Sequence, residues 1–188
     1  MKTIVQFDKW LFNQINQRWT FHVFDGIMPF VRDPLFWVPF YLFMLVLVIM
    51  NFPRKAFYWI LSAAITVTLT DSISSRIFKP LIGRLRPCND PELMNRIRLL
   101  ADHCGQNGSF TSSHAANHFG MAMFFSLTLK PWIGNKAGLF FGWAALVSYA
   151  QVYVGVHFPF DVLGGALLGM SIGWMTSKLF HQKTGGLS

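Results

Sequence analysis

His157 and Asp161 stand four residues apart in the run Gln151 to Asp161, Q-V-Y-V-G-V-H-F-P-F-D, with Pro159 between them and apolar segments on both sides. At that spacing a carboxylate can accept a hydrogen bond from one ring nitrogen of the histidine, which fixes the tautomer and leaves the other nitrogen basic and nucleophilic. Pro159 suits the first turn of a helix, where its missing N–H would be unpaired anyway. The sequence therefore predicts a helix starting there, with His157 just outside it and Asp161 in its first turn. A helix start with an N-terminal Asp and an incidental His has the same pattern, so the pair needs partners.

Those partners stand at the two ends of one upstream segment, which begins K-P-L-I-G-R-L-R-P at Lys79 to Pro87 and ends S-F-T-S-S-H-A-A-N at Ser109 to Asn117. These are phosphate-handling residue types. Lys79 is a point charge and Arg86 a planar fork that can grip two oxygens, while Ser112 and Ser113 open a predicted helix with free backbone N–H groups. His114, in the first turn, sits where a proton donor to a leaving oxygen is wanted. Taken singly, basic residues beside a membrane bind lipid headgroups and a Ser pair before a helix is a cap.

The elements that must position these groups are hydrophobic. Mean hydropathy is +0.39 and 53% of the 188 residues are apolar, which places the chain among integral membrane proteins and excludes a soluble enzyme. The charge of +8 is spread between apolar runs, against a nucleic-acid partner. The eight acidic residues are scattered and Cys88 and Cys104 lack zinc-ligand spacing, so no protein-bound metal or other cofactor is expected. The chain opens without the pattern of a cleavable signal peptide.

Residues 1–32 read as an amphipathic helix lying in the interface, with Phe7, Trp10, Leu11 and Ile15 on its apolar face and Trp10 and Trp19 as anchors. Five spans are expected after it: Pro34 to Met50, Ala56 to about Phe78, about Ser112 to Leu129, about Ala137 to Val156, and Pro159 to Phe180, each near the length that crosses a core of about 30 Å. The fold class is thus all-α, an integral membrane bundle over residues 33–180, with a loose tail at 181–188. Gly164, Gly165, Ala166, Gly169, Ser171 and Gly173 suit close packing of the last helix. Asp71, deep in the second span, reads as a structural contact between helices or with Lys79 or Arg76. Residues 79–111 form the one long connection, on the same face as His157.

The three clusters together resemble the type 2 phosphatidic acid phosphatase superfamily, membrane lipid phosphatases that share a helical core with vanadium haloperoxidases. The family's first motif, K-x6-R-P, is matched by Lys79, Arg86 and Pro87; its second, P-S-G-H, is met as T-S-S-H; its third, S-R-x5-H-x3-D, is met at His157 and Asp161. The resemblance covers residues 33–180. It implies that His157 attacks phosphorus and becomes transiently phosphorylated, that Asp161 orients it, and that His114 protonates the departing oxygen. Lys79, Arg86 and the amides near Ser112 and Ser113 would hold the remaining oxygens.

Three departures from the pattern stand out. Thr111 replaces Pro and Ser113 replaces Gly, both of which keep a backbone N–H. Ala150 and Gln151 stand where the family has Ser and Arg, which removes one charged phosphate ligand. Gln151 can still donate through its amide, and Arg84, Arg96 and Arg98 are candidates to restore the charge.

The resemblance implies a metal-independent hydrolase acting on a lipid phosphate in the bilayer, similar to small bacterial undecaprenyl diphosphate phosphatases, with phosphatidylglycerophosphate, phosphatidate and lipid A phosphates fitting the same site. A lipid phosphotransferase, or an inactive scaffold that binds polyprenyl phosphates, is the alternative. The expected location is the bacterial inner membrane with the site facing outward. Cys88 and Cys104 are expected to pair if that face is oxidising. The oligomeric state is left open.

Overall fold

The structure, a computed structural model, describes residues 2–187 and is helical, with no strand among them. α1 (Lys2–Asn13) runs on through a π turn at Gln14–Arg18, and α2 (His22–Val31) follows. A 3-10 turn at Pro34–Trp37 leads into α3 (Val38–Asn51). α4 (Pro53–Ile73) continues through a π turn at Ser74–Phe78 into α5 (Lys79–Ile82), and after a long loop come α6 (Ser113–Ile133), α7 (Leu139–Tyr153) and α8 (Pro159–Thr184). Proline opens α4 and α8, at positions where no intrahelical bond is lost. Among the described residues two stretches, Pro34–Asn51 and Pro53–Asn89, are long and apolar enough to cross a membrane.

The closest packing is between α6 and α8. A Cβ on Gly169 would run into the carbonyl oxygen of Ala116, one on Gly173 into that of Gly120, and one on Gly165 into that of Ser112. Residues four apart share a helix face, so these glycines form a seam that lets two backbones meet. α4 lies across the seam and is tied to it by hydroxyls. Trp59 Nε1 donates to Thr128 Oγ1 at 2.9 Å, Thr70 Oγ1 donates to Asn117 Oδ1 at 2.6 Å, and the Thr66 and Thr176 hydroxyls are 2.7 Å apart. An unpaired buried hydroxyl would cost about 1–3 kcal/mol, so each pair fixes how the helices are rotated. Met44, Val48, Trp59, Phe124, Phe125 and Phe180 fill one end of the bundle, and Phe12, Val147, Tyr153 and Phe158 fill the other.

Two expectations are corrected here. The loop does not begin at Lys79, because the helix continues to Ile82 and stops where Gly83 takes the left-handed conformation (φ 61°) that a residue without Cβ adopts freely. Nor is the N-terminal segment one helix, and it meets the bundle through its polar side. Phe7 and Trp10 are 50% and 52% exposed, while Asp8, Phe12 and Asn16 are buried. Polar ties decide this: Asn16 Nδ2 donates to the carbonyls of Tyr153 (2.8 Å) and Arg98 (2.9 Å), and its Oδ1 accepts from Arg98 N–H at 2.9 Å. The break between its two helices falls at residues 19–21. Within the long loop Cys88 and Cys104 are joined as a disulfide, Cα atoms 6.0 Å apart.

Candidate active site

His157 is positioned by a tight turn between α7 and α8. The carbonyl of Gln151 accepts the N–H groups of both Val156 (3.2 Å) and His157 (3.3 Å). The turn needs glycine at Gly155, whose φ is +90° and whose missing Cβ leaves room for the Arg98 carbonyl. Past Pro159, the Asp161 carboxylate reaches back to accept the Phe158 N–H at 2.9 Å, closing the start of α8. The sequence motif is thus a helix cap and a histidine mount at once.

The ring's protonation follows from its neighbours. Arg86 Nη1 lies 3.2 Å from His157 Nε2, and a guanidinium can only donate. Nε2 therefore carries the lone pair and the proton sits on Nδ1. Nδ1 faces Ser109 Oγ at 3.4 Å and Asp161 Oδ2 at 3.6 Å. The latter is an ion-pair distance and not a hydrogen bond, which corrects the direct His157–Asp161 bond expected from sequence. Ser109 stands between the two, donating to Asp161 Oδ2 at 2.5 Å and turning a lone pair to the imidazole. Burial, with the charges of Arg86 and Lys79 adding to it, pushes the His157 imidazole down to about 4 against the pull of Asp161. A neutral ring at ordinary pH is the nucleophilic form.

Asp161 is completely buried and fully engaged. Its Oδ1 accepts from Arg84 Nη1 at 2.8 Å, and Arg84 Nη2 donates to Asp8 Oδ2 at 2.6 Å. Asp8 Oδ1 in turn accepts the Phe160 N–H at 2.9 Å, and the Arg84 guanidinium lies 4.1 Å over the Phe158 ring. Arg84 is thus not a spare cation for phosphate; it supports the carboxylate from behind. Arg98 is paired with Asp25 and Arg96 is exposed.

A cavity of about 330 Å³ gathers Lys79, Arg86, Ser113, His114, Gln151 and His157, with Arg32, Asp71 and His103 also on its wall. Arg86 is aimed by its Nε, which donates to the Asn107 carbonyl at 3.0 Å. Ser112 is not on this wall. Its N–H donates to the Asp161 carbonyl at 3.0 Å and its Oγ caps α6 by accepting Ala115 N–H at 3.4 Å, so the first-turn amides at Ser113 and His114 are the ones free of intrahelical partners. Nor is the Gln151 N–H donor offered to the cavity as expected: Nε2 donates to the Arg32 backbone carbonyl at 3.5 Å. Asp71 has no cation within 4.0 Å among the described residues, in place of the ion pair expected with Lys79 or Arg76. A second cavity of about 480 Å³ shares Asp71, Ser113 and His114 with the first and runs on past Tyr41, Asn117, His118 and Met121. The site thus opens to the apolar flank of the bundle.

Sequence reasoning missed Ser109, Asp8, Arg32 and His118, and gave Arg84 the wrong direction. One signal was present: in the extended R-x-R run, residues two apart share a face, so Arg84 and Arg86 reach the same element, one at Asp161 and the other at His157. Asp8 lies more than 150 residues from the group it serves, and no local pattern marks it.

The family model of the PAP2 superfamily matches residues 55–184. A lipid A 4'-phosphatase of Bacteroides thetaiotaomicron is 34% identical over 167 residues, 87% of this chain and 72% of the relative. An undecaprenyl-diphosphatase of Sulfolobus acidocaldarius is 29% identical over 82% of this chain and 70% of its own length. The crystal structure of Aquifex aeolicus LpxE superposes with a TM-score of 0.63 at 26% identity, covering 90% of this chain and 93% of that one. The matched segment contains every cation, histidine and carboxylate of the three motifs, and with a relative above 30% identity across most of both chains, this chain belongs to the PAP2 superfamily.

Proposed function

We propose that the chain hydrolyses a membrane lipid phosphate or diphosphate through a phosphohistidine on His157. It is a lipid phosphatase of the PAP2 superfamily, a phosphoric ester hydrolase. The observation that supports His157 as the nucleophile is its Nε2 lone pair, which faces a cavity lined by cations while Nδ1–H is held from behind. On binding, the Arg86 fork passes from the ring nitrogen to the phosphate oxygens, joined by Lys79 and the amides of Ser113 and His114. The Nε2–P bond forms as the bond from phosphorus to the lipid oxygen breaks, and His114, having taken the proton carried in on the bound phosphate, gives it to that oxygen. His114 then takes a proton from water, the water oxygen attacks phosphorus, and the P–N bond breaks to release inorganic phosphate. Charge on the equatorial oxygens is balanced by the side-chain cations Lys79 and Arg86.

Residues 33–180 form the phosphatase domain, with five spans at α3, α4, α6, α7 and α8, and residues 1–32 lie at the interface with Phe7 and Trp10 turned outward. The domain sits in the bacterial inner membrane with the site facing outward, where the Cys88–Cys104 disulfide suits an oxidising compartment. The second cavity takes the lipid stem.

Phosphate release in chelator from a lipid A 4'-phosphate, undecaprenyl diphosphate, phosphatidate and phosphatidylglycerophosphate tests this directly. Wild type turns over at least one, His157→Ala none, and acid-labile phosphate is trapped on wild type alone. Turnover that survives His157→Ala would sink the nucleophile assignment. A membrane-impermeant thiol label on intact cells tests orientation: a cysteine at Asn95 reacts and one at Gly134 does not.

A further inference from the structure

We infer that Arg32, from the N-terminal segment outside the three motifs, is a ligand of the transferred phosphoryl group, supplying the charge that Gln151 lacks. The inference rests on the phosphatase reading above. Arg32 lines the same cavity as His114, His157, Lys79, Arg86 and Gln151. It is partly buried, yet among the described residues no carboxylate lies within 4.0 Å of it and its Nε is buried without a hydrogen-bond partner. Asp33 and Asp102 act on it only from farther off, and it repels Arg86. A half-desolvated guanidinium beside two other cations is unfavourable unless an anion occupies the space between them.

The backbone under Arg32 is fixed. Met28 and Val31 are buried on α2, Trp37 Nε1 donates to the Val31 carbonyl at 2.8 Å, and Gln151 Nε2 donates to the Arg32 carbonyl at 3.5 Å. Gln151 therefore holds the segment that carries the cation. The rest of its amide supplies a second, independent sign of a ligand. Gln151 is 1% exposed and its Oε1 has no donor among the described residues. A phosphoryl group carrying one proton offers oxygens for Arg32 and an O–H for Gln151. The cations suggested by sequence for this task are committed elsewhere: Arg84 to Asp161 and Asp8, Arg98 to Asp25.

The test uses the full chain in detergent, with turnover of the best lipid phosphate and inorganic orthovanadate as the probe. Arg32→Gln lowers kcat/KM about 10- to 100-fold, the range of a hydrogen bond to a charged group. Inhibition by vanadate weakens by a similar factor, and so does the vanadate-induced rise in melting temperature. Moving the charge across, with Arg32→Gln and Gln151→Arg together, restores part of the loss. Arg32→Gln within about twofold of wild type in turnover and in vanadate binding overturns the inference, as does lost turnover with vanadate binding unchanged, which marks a structural role. If Arg32→Gln does not fold, Arg32→Lys takes its place: weaker vanadate binding supports the inference and wild-type binding overturns it. The phosphatase reading fails separately, when wild type releases no phosphate, and the vanadate shift still reports on Arg32.

Discussion

Along the α6–α8 seam two backbones touch through Gly165, Gly169 and Gly173, whereas across the cavity α1, the long loop and α8 meet through Asp8, Arg84, Ser109 and Asp161. The first contact is made by taking side chains away, the second by adding charged ones. The seam is steric and has one register. The charged chain is a relay in which each member has at least two partners, so damage to any of them reaches the nucleophile without a collapse of the bundle. The lesson is that rigidity and chemistry are built here by separate parts of the sequence, and substitutions in the two regions should fail differently.

The largest effect is expected at the seam. Gly169→Val would force α8 away from Ala116 and Gly120 on α6, and overpacking of this kind costs about 1–3 kcal/mol or more, because neither backbone can give way. Thermal unfolding in detergent should show a large fall in melting temperature, with activity lost alongside. A Gly169→Val protein that melts like wild type would mean that the helices can slide apart and that the seam does not set the site.

On the charged side, Ser109→Ala leaves His157 Nδ1–H facing a carboxylate 3.6 Å away with nothing between. The bundle should melt nearly as wild type, while kcat falls about 10-fold, the low end for one hydrogen bond to a charged group. Substrate KM should change little, since Ser109 does not line the cavity. A KM effect with kcat intact would break the relay argument.

Asp8→Ala extends the comparison to the N-terminus. It unpairs Arg84 on one side and frees the Phe160 N–H, at a cost of about 1–3 kcal/mol. Activity should fall less than in Ser109→Ala, because Arg84 keeps Asp161. Loss of activity exceeding that of Ser109→Ala would show that α1 contributes more than support.

How much of this was legible beforehand follows the same division. Pro159, the His157–Asp161 spacing and the glycine stripe are local patterns, each with a short-range physical reason, and the structure places helix starts and close packing where they predict. The relay is not local. Asp8 and Arg32 belong to a segment whose apolar residues suggested only a membrane surface, and neither has a sequence neighbour that betrays a buried partner. Ser109 was hidden differently: it lies in the quoted motif but reads as one more loop serine until the 3.6 Å gap behind His157 gives it a place. Ser112, by contrast, was legible as a cap, and the cap is what the structure shows.

The smallest and sharpest effect concerns pH. Burial holds the folded His157 down to about 4, with Arg86 helping and Asp161 opposing, against about 6.5 in an unfolded chain. Because the folded value is depressed, the unfolded chain binds this proton first as pH falls. Stability from this group is therefore fully present above about 6.5, is lost progressively between about 6.5 and 4, and is constant below. Activity follows the nucleophile's neutral form, so kcat/KM of the free enzyme should show no acid limb from His157 between pH 7 and 5. Removing Arg86 takes away a positive charge 3.2 Å from Nε2, which raises the histidine. Arg86→Gln should thus lower kcat/KM throughout and also move the acid limb upward, whereas Lys79→Gln, whose charge is the smaller influence on His157, should move it less. A pH profile for Arg86→Gln that is scaled down without shifting would mean that Arg86 acts on the phosphate alone and that the contact with Nε2 has no bearing on the nucleophile.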